Sequence, residues 1–81
     1  MNDVVIRTQV IAALTEVAPE IESETLDPGL SFRDQYPFDS VEFLNFVLKL
    51  ESALGLSIPQ ADYPQLSSLR GCLNYFGSRL S

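Results

Sequence analysis

From Ser40 to Leu54 the sequence SVEFLNFVLKLESAL puts Phe43, Val47, Leu50 and Leu54 on one stripe at helical spacing, with Phe46 alongside. A strand has no use for that spacing. The segment also carries its own start and stop: Asp39 with Glu42 three residues later forms a capping box, and Gly55 lies just past the apolar pattern. A second apolar stripe, Val41, Leu44 and Leu48, lies roughly a quarter-turn or more away. It is either further core or a hydrophobic contact surface for another protein.

The same period governs the rest of the chain. Ile6, Val10, Leu14 and Val17, with Ala13 beside them, predict a helix over Asp3 to Val17 capped by Asn2 or Asp3. A last helix is predicted after a Ser67 cap and through about Arg79, with Leu69, Leu73 and Phe76 inward and Cys72 and Tyr75 flanking. Gln60 to Pro64, after Pro59, has room for a single helical turn. Ala18 to Asp39 carries Pro19, Asp27-Pro28-Gly29 and Pro37 and reads as a long loop. Ile21, Leu26, Leu30, Phe32, Tyr36 and Phe38 are its expected anchors. No segment sustains a period of two. The expected fold is all-α, a small bundle of three main helices plus one short one, with residues 1–81 forming a single domain.

Composition then narrows the chemistry. Eleven acidic residues against five basic ones give a net charge of −6, which opposes nucleic-acid backbones and anionic lipid. There is no histidine and one cysteine, Cys72, so zinc sites, Cys-His dyads and Ser-His-Asp triads cannot be assembled. Cys72 is expected to be a small apolar filler. A chain of this size offers little volume for a water-excluding pocket around paired carboxylates, so binding or carrying is favoured over catalysis. The N-terminal MNDVVIRTQV lacks the pattern of a secretion signal, and no apolar run is long enough to span a membrane. A cytoplasmic monomer is the expectation. The acidic cluster from Glu16 to Asp27 is a solvated face or a hold for a basic enzyme.

Asp39-Ser40 has two readings. In the first, the pair simply starts a helix. In the second, Asp39 fixes the backbone and leaves the Ser40 hydroxyl free at a helix N-terminus, a position suited to a bound anion.

Ser31-Phe32, Asp34, Asp39-Ser40-Val41, Leu50-Glu51, Ile58-Pro59, the Ser67-Ser68-Leu69 helix start and Tyr75 together resemble the acyl carrier proteins, and the similarity runs without a gap from Leu26 to Tyr75. The resemblance implies that Ser40 carries a 4′-phosphopantetheine arm, attached by a phosphopantetheinyl transferase from coenzyme A with Mg²⁺. It implies no catalytic residues in the chain itself. Asp39 then belongs to the attachment motif, and Val41, Glu42, Leu44, Asn45 and Leu48 form the surface met by partner enzymes. Those partners are acyl ligases, synthases or acyltransferases of a fatty-acid, polyketide or specialised lipid pathway. Phe43, Phe46, Val47, Leu50 and Leu54 are core or line a cavity for the acyl chain, unless the aromatic rings fill that space themselves.

The chain departs from the family pattern at Pro37, where glycine is usual, and at Val41, where leucine is usual. Asn45, Lys49 and Ser52 also make this helix less acidic than in typical free-standing carriers. Two alternatives stand beside this reading: an aminoacyl carrier for D-alanine or a peptidyl intermediate, and an unmodified helical interaction module.

Overall fold

The computed structural model describes residues 2–80. Its elements are α1 (Asp3–Val17), α2 (Phe32–Gln35), α3 (Ser40–Leu54), a 3₁₀ helix (Gln60–Leu66) and α4 (Leu69–Leu80). All of them are helical, as the sequence pattern predicts. α1 packs against both α3 and α4, and α4 also packs against the 3₁₀ helix. Ile6, Val10 and Leu14 of α1, Phe46, Val47 and Leu50 of α3, and Leu69, Cys72 and Phe76 of α4 are buried together in one cluster.

Helix ends follow local chemistry. Asn2 Oδ1 accepts from the Val5 amide at 3.0 Å and starts α1. Gly55 closes α3 in the left-handed region at φ 67°, where a side chain would be strained. At α4 the expected Ser67 cap gives way to Ser68, whose Oγ accepts from the Gly71 amide at 3.0 Å. Ser67 is engaged instead through its carbonyl, which accepts from the Phe32 amide at 2.8 Å. Gly71 is required for another reason: a Cβ there would collide with the Gln65 carbonyl oxygen.

The segment 18–39, predicted as loop, is ordered and contains the single turn α2. Gln35 clasps it. Its Oε1 accepts from the Asp27 amide at 2.9 Å, and its Nε2 donates to the Asp27 and Leu30 carbonyls at 2.9 and 3.1 Å. Asp27 Oδ1 in turn accepts from the Gly29 amide at 2.9 Å. The Pro28 carbonyl accepts from the Arg70 amide at 2.9 Å, which ties the segment to the start of α4. Ile21, Leu26, Phe32 and Phe38 are buried anchors as expected, whereas Leu30 is exposed and Tyr36 is partly buried.

α4 buries Leu69 and Phe76 as its periodicity predicts, but its inner face is turned from the expected one at the middle of the helix. Cys72 and Tyr75 are buried, while Leu73 is only partly so. Tyr75 can go inward because its hydroxyl donates to Asp62 Oδ2 at 2.7 Å, satisfying the polar tip. Burial, and then this hydrogen bond, raise the Tyr75 pKa. Arg79 lies over the Tyr75 ring at 3.8 Å and pairs with Asp62 at 3.3 Å, completing a tie between α4 and the 3₁₀ helix.

Burial drives the Cys72 thiol far above its usual range. In the unfolded chain a thiol ionises above about pH 8.5, whereas the folded chain keeps the proton. The unfolded state then binds fewer protons, so stability from this group is complete below that pH and falls as pH rises, by up to about 1.4 kcal/mol per unit. Urea unfolding between pH 8 and pH 10 is expected to show that decline in the native chain and a shallower one in Cys72→Ala.

Candidate functional site

The site is built at the first turn of α3. Asp39 Oδ1 accepts from the Glu42 amide at 2.8 Å, and Glu42 Oε1 accepts from the Asp39 amide at 3.1 Å. This is the reciprocal capping box that the sequence predicts. Because Asp39 does the capping, the Ser40 hydroxyl is not consumed by it. Ser40 is exposed, and among the described residues its side chain has no hydrogen-bond partner. Asp39→Ala is expected to cost about 1 kcal/mol, read as a lower urea midpoint, through loss of the cap.

Beside Ser40 opens a cavity of about 210 Å³. Phe32, Phe38, Phe43 and Tyr63 give it aromatic walls, while Ser40, Ser67 and Arg33 add polar groups to the lining. Three separate elements meet there. α2 supplies Phe32 and Arg33, α3 supplies Ser40 and Phe43, and the 3₁₀ helix supplies Tyr63 and Pro64. Phe38, 4% exposed, pins the residue before Asp39 to the core and so fixes where α3 begins.

The second stripe of α3 faces outward. Val41, Leu44 and Leu48 are 67%, 43% and 49% exposed, far from a core assignment. Asn45 is exposed beside them, whereas Glu42 is partly buried and engaged in the cap. Glu42, Asn45, Leu48 and Lys49 border an open groove against Glu16 and Val17 of α1. Lys49 Nζ and Glu16 Oε2 pair at 3.5 Å across it, with both side chains largely exposed. On the inner stripe, Phe46, Val47 and Leu50 are fully buried, but Phe43 and Leu54 are only partly so. Of the five inner residues expected to be core or to line a cavity, Phe43 borders the cavity beside Ser40 and the other four do not.

Sequence reading placed Asp39 and Ser40 correctly at the start of α3, and the structure sets the outward residues Val41, Leu44, Asn45 and Leu48 on one surface. It missed Phe32, Arg33, Phe38, Tyr63, Pro64 and Ser67 as cavity residues. Tyr63-Pro64 is an aromatic in a short segment bounded by Pro59, a signal of a packed turn. Nothing local pointed to Arg33.

A helical bundle with a free hydroxyl at a capped helix start, an apolar cavity beside it and an exposed hydrophobic stripe has the features of a carrier domain. Residues 8–76 match the sequence profile of the family described as phosphopantetheine attachment site, and the chain belongs to the acyl carrier protein family. It is similar to the acyl carrier protein of Rubrobacter xylanophilus, with 21% identity over 72 residues, covering 85% of this chain and 89% of that protein. Membership brings a covalently attached 4′-phosphopantetheine as cofactor.

Proposed function

We propose that Ser40 is the attachment residue and that the chain is a discrete, non-catalytic acyl carrier. The observation that carries this reading is the Ser40 hydroxyl itself, exposed, relieved of capping by Asp39 and bordering an apolar cavity. The residues present fit the cofactor. Bound there, it supplies a terminal thiol on which an acyl group is held as a thioester.

The chain's own part in loading is to present one oxygen. Ser40 Oγ attacks a phosphorus of the coenzyme A pyrophosphate, forming a new P–O bond as the bridging P–O bond breaks. The nucleotide half of coenzyme A leaves, and the hydroxyl proton goes to a base on the transferase. Asp39 and Glu42 hold the backbone around Ser40 during attack through their reciprocal bonds. The N-terminus of α3 stabilises the phosphodiester once formed.

Acyl cargo is favoured over aminoacyl cargo by the lining of the cavity. Its charged lining residue is Arg33, which repels an ammonium group, and no carboxylate lies among the lining residues to receive one. Val41, Leu44, Asn45 and Leu48 form the surface for the transferase and for acyl ligases, synthases or acyltransferases. Lys49 and Glu16 pair at its edge, so charge steering is weaker there and partner choice depends more on shape. A fatty-acid, polyketide or specialised lipid pathway is the setting, in the cytoplasm.

The test is an intact mass after incubation with coenzyme A, Mg²⁺ and a broad-specificity transferase, followed by charging with acyl and with aminoacyl ligases. A gain of one phosphopantetheinyl group and acyl charging support the reading; no gain with several transferases overturns it. Leu48→Asp, an exposed change, is expected to raise the KM of the transferase about tenfold with an unchanged thermal midpoint, about what one lost hot-spot contact is worth.

A further inference from the structure

The cavity beside Ser40 is small, and its back is closed by rings. Phe46 does not line it but is fully buried behind the walls, with ring centroids 5.5 Å from Phe32, 6.2 Å from Phe38 and 6.3 Å from Phe43. Phe32 meets Phe38 edge-on at 5.8 Å, and Phe43 meets Tyr63 edge-on at 6.2 Å. These contacts fall in the range of favourable ring pairs, so the walls hold each other in place. A guest cannot extend inward between them without breaking that packing.

Volume sets the limit. An apolar cavity of about 150 Å³ takes one benzene ring, and by the same scaling a sixteen-carbon chain needs roughly 400 Å³. The space here is about 210 Å³. We propose that this cavity selects a compact acyl cargo, of about the bulk of a single ring, and does not shelter a long alkyl chain. Aromatic acyl groups gain most, since Phe32, Phe38, Phe43 and Tyr63 line the space with rings. The proposal rests on Ser40 as attachment residue, because cargo reaches the cavity only from an arm rooted at its rim.

The test loads the full chain with benzoyl-, hexanoyl- and palmitoyl-phosphopantetheine from the corresponding coenzyme A thioesters, with intact mass and peptide mapping to establish loading at Ser40. Two quantities are then read: amide shifts of Phe43 and Tyr63 by NMR, and the rate of thioester cleavage by hydroxylamine. Benzoyl and hexanoyl cargo are expected to move both amides and to be cleaved more slowly than palmitoyl by about fivefold, as when roughly a fifth of molecules expose the cargo. Phe43→Ala and Tyr63→Ala, each checked for folding, are expected to remove that advantage. Normal loading with palmitoyl protected as well as or better than benzoyl overturns the size selection alone. Failure to load at Ser40 overturns the attachment reading and this proposal with it.

Discussion

Ser40→Ala is expected to fold as the native chain does and to gain no mass from coenzyme A and a transferase, while the native chain gains one phosphopantetheinyl group. The effect is all-or-none because the new phosphodiester needs the Ser40 oxygen. The fold should be indifferent to the change. Ser40 is exposed and its hydroxyl has no hydrogen-bond partner among the described residues, so the substitution belongs with surface changes of about 0.5 kcal/mol or less. The helix keeps its cap, since Asp39 supplies it. Equal mass gain in the variant, with peptide mapping to another serine such as Ser52 or Ser57, would move the attachment point and undo the site described above.

Phe46→Ala carries the largest expected loss of stability. Phe46 is fully buried on α3 and stacks edge-on or tilted against Phe32, Phe38 and Phe43, so its ring joins three separate parts of the chain. Removing a buried ring costs about 3–5 kcal/mol in transfer energy and residual void. A chain of this length has only about 4–12 kcal/mol in total. The variant is therefore expected to be largely unfolded on warming, with a lost cooperative transition by circular dichroism. Phe46→Leu, which keeps most of the volume, should retain a transition at a lower midpoint. A Phe46→Ala chain that melts like the native one would mean the aromatic cluster is not a structural joint.

How much of this was legible beforehand differs by element. α3 was readable because every signal is local: Asp39, Glu42 and Gly55 sit within the segment they delimit, and its buried Phe46, Val47 and Leu50 repeat at helical spacing. α2 was not. Its four residues are held by bonds that no local pattern encodes, from Phe32 to Ser67 and from Gln35 back to Asp27. On α4 the inward Leu69 and Phe76 were read correctly, but tyrosine was treated as a flanking residue, and the position of Asp62 on the 3₁₀ helix lets Tyr75 sit deeper than Leu73. The outward stripe of Val41, Leu44 and Leu48 was visible as a pattern, but sequence alone could not decide between core and surface. The cavity was the least legible feature, since its walls come from three elements whose meeting depends on the whole fold.

The Gln35 clasp is made entirely by an uncharged amide. Added salt weakens ionic contacts such as Lys49 with Glu16 far more than it weakens dipolar ones of this kind. The stretch from Asp27 to Gln35 should therefore keep its shape from dilute buffer to brine.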